Sequence, residues 1–167
     1  MALIPFDDRD GFIWLDGKLE PWREAKTHVL CHGLHYASSV FEGERSYKGK
    51  IFKSAEHTAR LRTSCNLLDF ELPMSDQEME EIKYKVLEAN GIVDGYIRPF
   101  CWRGSEMMAI SAQDTKTHVG VAAWNWPSYF DPETKMKGIT LDIADWRRPS
   151  PESAPVQAKA AGLYMIC

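Results

Sequence analysis

The chain has 167 residues, which is enough for one ordinary domain or for a small domain and part of another. Its 44% hydrophobic and 26% charged residues are typical of a folded globular protein. A net charge of −4, with both signs dispersed, argues against a nucleic-acid partner. No apolar stretch is long enough for a membrane span, and the first residues, MALIPFDDRDG, lack the apolar core of a signal peptide. Four widely spaced cysteines fit reduced thiols, so we expect a cytoplasmic protein.

Two short hairpins are predicted first along the chain. GFIWLDGKLEPW predicts two strands around Asp16-Gly17, a dipeptide that tolerates the positive φ angles of a tight hairpin turn. SSVFEGERSYKGKIFK repeats this pattern, with its turn at residues 48–50.

Two amphipathic helices follow the hairpins. Ser54 is predicted to cap a helix over residues 55–68. Ser75 and Glu78 form a capping-box pattern that opens a second helix, and Gly91 marks the end of that helix. The apolar positions recur at helical spacing in both segments: Leu61, Cys65 and Leu68 in the first, and Met79, Ile82, Val86 and Leu87 in the second.

The composition changes near residue 126. GYIRPFCWR and THVGVAAWNW indicate buried strands, and the following PSYFDPETKMKG, with its prolines and charges, indicates a connection between domains. ITLDIADW is then predicted to begin a new strand. We therefore predict an α/β fold with a small, α+β-like domain over residues 1–126, a connection over 127–137, and the beginning of a second, incomplete unit over 138–167.

The segment HVLCHGLHY concentrates four potential metal ligands, His28, Cys31, His32 and His35. Four ligands along two helical turns cannot surround one tetrahedral ion, because helical metal sites take two ligands from one helix and the others elsewhere. We therefore expect no metal here, and expect histidines that hydrogen-bond the backbone or neighbouring side chains.

Three other positions have two interpretations each. In YIRPF, strand alternation places Tyr96 and Arg98 on one face and Ile97 on the other, a pairing that suits a bound carboxylate but also suits an ordinary strand pair. Arg60, in EHTARL, is either a solvated helix residue or an anion ligand. Lys159, in PVQAKAAGLY, is either a surface lysine or a functional one. Local sequence leaves all three open.

Four segments together resemble one enzyme family. HVLCHGLHYASSVFEGERSY, EHTARL, GYIRP and PVQAKAAGLY occur in the order and spacing of class IV pyridoxal-phosphate aminotransferases, and the combination is most similar to the bacterial branched-chain amino acid aminotransferases. The resemblance covers essentially all 167 residues, but the family enzymes are longer. It implies the complete small domain and only the opening of the large domain, an N-terminal fragment that would bind the cofactor weakly by itself.

The resemblance also implies a role for individual residues at the cofactor. Lys159 matches the lysine that binds pyridoxal 5'-phosphate covalently and then moves a proton. Arg60 matches the arginine that binds the cofactor phosphate, and Tyr164 matches the tyrosine that hydrogen-bonds the phenolic oxygen of the cofactor.

Substrate contacts are implied in the same way. Tyr96 and Arg98 match residues near the substrate carboxylate, and Tyr36, Phe41 and Trp126 match residues that line the pocket for an apolar side chain. One departure from the family is Glu44, where many relatives carry an aliphatic residue. Whether the charge of Glu44 alters the wall of the pocket is left open by the sequence.

The function implied for the intact protein is transamination of leucine, isoleucine and valine with 2-oxoglutarate. Its partners would be small amino acids and 2-oxo acids, and the protein would form a homodimer or a larger homo-oligomer. Two alternatives remain open. One is another class IV enzyme, such as a D-amino acid aminotransferase or an aminodeoxychorismate lyase; the other is a non-catalytic fragment that acts only as an interaction module.

Overall fold

The computed structural model describes residues 4–126 and 132–166. The strands are β1 (Phe12–Leu15), β2 (Lys18–Pro21), β3 (Ser39–Phe41), β4 (Glu44–Tyr47), β5 (Lys50–Ile51), β6 (Gly95–Arg103) and β7 (Thr117–Trp124). The α-helices are α1 (His32–Tyr36), α2 (Ser54–Leu67), α3 (Asp76–Ala89) and α4 (Pro132–Lys137), and Trp22–Glu24 and Ala161–Tyr164 form 3₁₀ turns.

All these strands belong to a single antiparallel sheet. Its order is β2-β1-β7-β6-β4-β5, and β3 pairs with β6 on the same side as β4. The longest strand, β6, is therefore paired on both sides and lies at the centre. The predicted mixture of helix and sheet is confirmed, with the antiparallel pairing of an α+β domain.

Both predicted hairpin turns are confirmed. Asp16 and Gly17 have φ angles of 45° and 106°, and Lys48 and Gly49 have φ angles of 52° and 75°. Each pair of positive φ angles is the geometry of a two-residue turn that matches the twist of the flanking strands.

The two long helices begin differently. The capping box at the start of α3 is confirmed, because the Ser75 hydroxyl accepts from the Glu78 backbone N–H and the Glu78 carboxylate accepts from the Ser75 N–H. The prediction that Ser54 caps α2 is wrong. Ser54 is already helical, and the preceding Lys53 turns the chain in a left-handed conformation (φ 56°) without a side-chain cap.

The hydrophobic core lies between one face of the sheet and the two long helices. Strand alternation places Ile97 in this core with no exposed surface, whereas Tyr96 and Arg98 lie partly exposed on the opposite face, as predicted. The buried core includes Val40, Leu61, Cys65, Met79, Val86, Cys101 and Val121. The Tyr96 and Arg98 side chains therefore lie on the face of the sheet that points away from this core.

A charged cluster lies inside this core. Lys83 on α3 is fully buried, and its Nζ lies 3.0 Å from Glu44, 2.9 Å from Glu80 and 2.7 Å from the Thr58 hydroxyl. The hydroxyl of Ser54 also accepts from Lys83, at 3.0 Å. Burial raises the pKa of the Glu44 carboxyl, and the attraction of Lys83 opposes that shift only in part. Glu44 therefore faces the helices, and its charge lies in the core.

After residue 126 the structure contradicts the predicted strand, and the division into domains stays a prediction. Part of the predicted connection, residues 127–131, lies outside the described residues, and the rest contains the short helix α4. ITLDIADW forms no strand, because a strand needs a partner for its backbone hydrogen bonds and this segment has none among the described residues. Ile139, Leu141 and Ile143 are consequently 57%, 81% and 93% exposed.

The histidines of HVLCHGLHY bond to nearby groups. His32 is buried, with Nδ1 2.6 Å from the Ser38 hydroxyl and Nε2 3.0 Å from the Ala109 carbonyl. His35 Nε2 lies 2.8 Å from the Val29 carbonyl. Within residues 4–126 and 132–166, no three His, Cys, Asp or Glu side chains are placed to hold a metal ion. The described helices also include none with the length and apolar character needed to cross a membrane.

Candidate active site

The segment around Lys159 extends the edge of the sheet at β3. The Phe41 N–H donates to the Lys159 carbonyl at 3.1 Å, and Val40 forms a β-bridge with Ala160. The Lys159 N–H donates to the Ser64 hydroxyl of α2 at 2.9 Å. The backbone of Lys159 is thus fixed between a strand and a helix, and sequence reasoning did not identify Ser64 as its anchor.

The Lys159 side chain points toward two aromatic rings. Its Nζ donates to the Tyr164 hydroxyl at 2.7 Å and lies 4.7 Å from the centre of the Phe41 ring. The rings of Phe41 and Tyr164 are themselves 5.2 Å apart. The 3₁₀ turn that follows Lys159 places Tyr164 for this contact. An amine and a phenol therefore meet at one partly exposed point.

Arg60 lies on the same face of α2 as Ser64, the residue that accepts the Lys159 N–H. It precedes Ser64 by four residues, so the two side chains share one helix face. The Arg60 side chain is 52% exposed, and Tyr164 lies within electrostatic range of its guanidinium. The structure thus joins Lys159 and Tyr164 directly, and it places Arg60 on the helix face whose Ser64 holds the backbone of Lys159.

A buried carboxylate holds Arg60. Glu42 has no exposed surface, and its oxygens accept from Arg60 Nε at 2.6 Å, from Arg60 Nη2 at 2.7 Å and from His57 Nδ1 at 2.7 Å. Burial raises the pKa of the Glu42 carboxyl, but the hydrogen bonds from Arg60 and His57 lower it further, so the net pKa lies below its ordinary value. Glu42 is therefore ionised at neutral pH. The sequence contained no local signal for this pairing.

Tyr96 and Arg98 form a second group on the exposed face of β6. Arg98 donates from Nη2 at 2.8 Å and from Nε at 3.2 Å to the Tyr96 hydroxyl, and its guanidinium carbon lies 4.5 Å from the Phe41 ring centre. The Tyr96 ring lies 5.1 Å from that of Trp126. Phe41 therefore contacts both groups, the lysine on one side and the arginine on the other.

The backbone at Gly43 is packed against Tyr96. A Cβ atom added at Gly43 would lie only 2.2 Å from the Tyr96 hydroxyl, a distance that real Cβ atoms do not reach. The Tyr96 ring is also held by Trp124 and Trp126, at 4.8 and 5.1 Å. Glycine at position 43 is therefore what lets the phenol occupy this place, a requirement that the sequence pattern did not reveal.

Tyr36, one of the predicted substrate contacts, borders a different cavity from Phe41 and Arg98. A cleft of about 500 Å³ borders Phe41 and Arg98 and is otherwise mostly apolar, with Ile13 and Leu34 among its lining residues. Tyr36 instead borders a different cavity of about 560 Å³, and its ring lies 4.6 Å from that of His32. Among the contacts of the described residues, none joins Tyr36 to Lys159 or to Arg98.

Comparison with known proteins defines the class of protein that carries this arrangement. The family model for amino-transferase class IV matches residues 39–167, a range that contains Glu42, Arg60, Lys159 and Tyr164. The chain therefore belongs to the class IV aminotransferase family.

Individual relatives narrow the comparison to one branch of that family. The chain is 42% identical over 164 residues to a probable branched-chain-amino-acid aminotransferase of Rickettsia felis, covering 98% of this chain and 55% of the relative. It is 39% identical to the branched-chain-amino-acid aminotransferase of Pseudomonas aeruginosa, covering 95% and 53%. The structure superposes with a TM-score of 0.83 and 32% identity on the branched-chain amino acid aminotransferase of Escherichia coli, covering 94% and 53%. The chain spans about half the length of the curated relatives that it matches.

One solved structure bears on the cofactor. The chain superposes with a TM-score of 0.89 and 37% identity on a branched-chain amino acid aminotransferase with pyridoxamine 5'-phosphate, covering 95% of this chain and 53% of that one. Membership of class IV and this likeness together indicate a pyridoxal-phosphate cofactor.

Proposed function

We propose that the intact protein is a pyridoxal-phosphate-dependent transaminase of branched-chain L-amino acids, with 2-oxoglutarate as the amino acceptor. The observation that carries this proposal is the meeting of the Lys159 amine with the Tyr164 hydroxyl, 2.7 Å apart, next to a helix that anchors Lys159 through Ser64 and presents the exposed Arg60 on the same face. The family and the names of the relatives support the same reaction.

The donor groups of the site match the groups of pyridoxal 5'-phosphate. A primary amine at Lys159 suits the cofactor aldehyde, the Tyr164 phenol suits its phenolic oxygen, and the Arg60 guanidinium suits its phosphate. When bound, this cofactor supplies an electron sink for the negative charge that develops at the substrate α-carbon. The same three residues are therefore our proposed cofactor ligands.

Lys159 is proposed to do more than hold the cofactor. With the cofactor bound, the Lys159 amine would be the group that accepts the proton from the substrate α-carbon and later gives a proton up again. The hydrogen bond to Tyr164 orients the amine, and the backbone bonds to Phe41 and Ser64 restrict its reach.

Tyr96 and Arg98 are proposed to bind the substrate carboxylate. The Tyr96 oxygen accepts two N–H groups from Arg98, so its own O–H is left to donate to another acceptor. The Arg98 guanidinium retains further N–H donors for the same acceptor. A carboxylate, which accepts several hydrogen bonds, fits both donors.

The remaining proposals concern the side-chain pocket and the assembly. Phe41 lies beside Arg98, and Trp126 lies beside Tyr96. Both are proposed to line the pocket for the apolar side chain of the substrate. Tyr36 has the same proposed role, although it borders a separate cavity. We also propose a homodimer or larger homo-oligomer and a cytoplasmic location; the exposed apolar side chains of Ile139, Leu141 and Ile143 favour association of the chain as given.

The proposal is tested on the full-length natural protein with pyridoxal 5'-phosphate. We expect formation of L-glutamate from 2-oxoglutarate with L-leucine, L-isoleucine or L-valine as the donor, and little with D-amino acids. Preference for D-amino acids, or release of pyruvate from aminodeoxychorismate, would replace the branched-chain assignment with one of the other class IV activities. Absence of cofactor uptake would leave only a non-catalytic role.

Gly43→Ala should impair the carboxylate site selectively. The added methyl group meets the Tyr96 hydroxyl and displaces it from Arg98, so we expect KM for the amino acid to rise about tenfold, the loss expected for a hydrogen bond to a charged group. The measurement is steady-state kinetics, with cofactor affinity expected to remain unchanged. Tyr96→Phe provides the matched control: once the hydroxyl is gone, adding Gly43→Ala should raise KM little further. An equal additional rise in that background would show that Gly43 acts elsewhere.

A further inference from the structure

We propose that Glu42 is a positioning residue that orients the Arg60 guanidinium so that one edge faces the phosphate of the cofactor. This inference rests on the proposed function, because it takes the cofactor to be pyridoxal 5'-phosphate. It assigns a task to a buried carboxylate that otherwise weakens the positive charge of an anion-binding arginine.

The hydrogen-bond pattern of Arg60 defines which edge remains available. A guanidinium has five N–H donors in a fixed planar fork. Glu42 Oε1 accepts from Arg60 Nε at 2.6 Å, and Glu42 Oε2 accepts from Arg60 Nη2 at 2.7 Å. This bidentate pair occupies one edge of the guanidinium. Nη2 also lies 3.4 Å from His57 Nδ1, whereas both Nη1 donors have no partner among the described contacts, on the outer part of a side chain that is 52% exposed. These donors are sufficient for an incoming phosphate.

Glu42 itself is held rigidly by its surroundings. Its N–H donates to the Pro99 carbonyl of β6 at 2.8 Å, so its backbone is attached to the centre of the sheet. Its carboxylate also accepts from His57 Nδ1 at 2.7 Å, which requires that this ring nitrogen carry the proton. His57 lies one helical turn before Arg60 on α2. Glu42 is therefore held by both the sheet and the helix. Its two hydrogen bonds to Arg60 in turn restrict the conformations of the Arg60 side chain.

The negative charge of Glu42, considered alone, would weaken binding of the anionic phosphate, whereas its orientation of Arg60 would strengthen that binding. Its net pKa lies below the ordinary value, so the group carries a full negative charge near Arg60 at neutral pH. If only the charge mattered, replacing Glu42 by a neutral residue would strengthen binding of an anionic phosphate. If orientation dominates, the same replacement weakens binding, because the freed arginine must lose side-chain entropy when it binds. The two explanations predict opposite signs.

The experiment compares pyridoxal 5'-phosphate with pyridoxal, which lacks the phosphate, in absorbance titrations of the full-length apoprotein. We expect Glu42→Gln to weaken pyridoxal 5'-phosphate binding about tenfold, the effect of losing charge-assisted hydrogen bonds, and to change pyridoxal binding less than about twofold. In an Arg60→Ala background, Glu42→Gln should have no further effect on either ligand.

Two further variants serve as controls. Glu44→Gln removes another buried carboxylate, which among the described contacts acts on Arg60 through its charge and not through a hydrogen bond, so it should lower stability without weakening binding of pyridoxal 5'-phosphate relative to pyridoxal. Glu42→Asp retains the charge but shortens the side chain, so it should also weaken binding of the phosphorylated ligand. It supplies the test if Glu42→Gln does not fold.

Specific outcomes would overturn the inference. Equal losses for both ligands would show a general structural role, and tighter binding of pyridoxal 5'-phosphate would show that charge dominates. Either result, obtained while the wild-type protein binds the cofactor on Lys159, leaves the proposed function intact. Failure of the wild-type protein to take up the cofactor would overturn both proposals.

Discussion

Replacing Lys159 by alanine should abolish covalent attachment of the cofactor and lower the rate of transamination by at least about 10⁴-fold. General acid–base catalysis alone contributes about 10²–10⁴-fold, and the same amine also provides the covalent link. The backbone bonds of Lys159 to Phe41 and Ser64 do not involve its side chain, so the fold should be retained. The substitution therefore separates chemistry from structure.

The measurement is borohydride reduction of the full-length protein with pyridoxal 5'-phosphate, followed by peptide mass mapping and activity assays. Lys135→Ala, which removes an exposed lysine of α4, should leave labelling and rate unchanged. A reduced adduct on another lysine in the wild-type protein would contradict the assignment of Lys159. Unfolding of Lys159→Ala, seen by circular dichroism, would contradict the expected separation of chemistry and structure.

Replacing Lys83 by methionine should destabilise the fold by about 3–5 kcal/mol, the usual cost of removing one partner from a buried ion pair. The ammonium group is fully buried and neutralises Glu44, which is itself only 1% exposed, while also contacting Glu80 and Thr58. Denaturant unfolding followed by tryptophan fluorescence provides the free energy. Lys85→Met, at an exposed position of the same helix, should have almost no effect.

The pH dependence and a double variant test the cause of that loss. Without Lys83, the folded-state pKa of Glu44, which burial already raises, should rise further. A raised carboxyl pKa means that the folded state binds the proton more tightly, so the loss should be smaller near pH ~5 and larger near pH ~8. Adding Glu44→Leu to Lys83→Met should recover stability at the higher pH. No recovery would indicate that lost packing, and not the unpaired carboxylate, causes the effect.

The parts of the fold set by local rules could be predicted from sequence. Positive φ angles at Asp16-Gly17 and Lys48-Gly49 require residues suited to tight turns, and the capping box at Ser75 uses two side chains only three residues apart. Strand alternation likewise placed Tyr96 and Arg98 on one face. The predictions for Ser54 and for residues 139–146 were wrong because both depend on distant partners: Ser54 bonds with Glu44 and Lys83 instead of capping α2, and residues 139–146 lack a neighbouring strand among the described residues.

The residues of the candidate site also fall into those that sequence motifs identify and those that depend on partners distant in the sequence. Lys159, Arg60, Tyr164 and Arg98 were identified through family motifs, which record side-chain identity along the sequence. Glu42, Gly43 and Ser64 were missed because each acts on a residue brought close only by folding. A carboxylate beside a glycine carries no local signature of its eventual partner.

The attachment of Lys159 to Ser64 has a consequence for the order of folding. The two residues are separated by 95 positions. Closing a loop of that length costs conformational entropy, and this cost precedes the stabilisation that the hydrogen bond provides. We therefore expect the hairpins and helices that precede β6 to form before the lysine reaches its place. The rate at which the cofactor attaches during refolding would then report this late step, and Ser64→Ala should slow it while leaving earlier secondary structure formation unchanged.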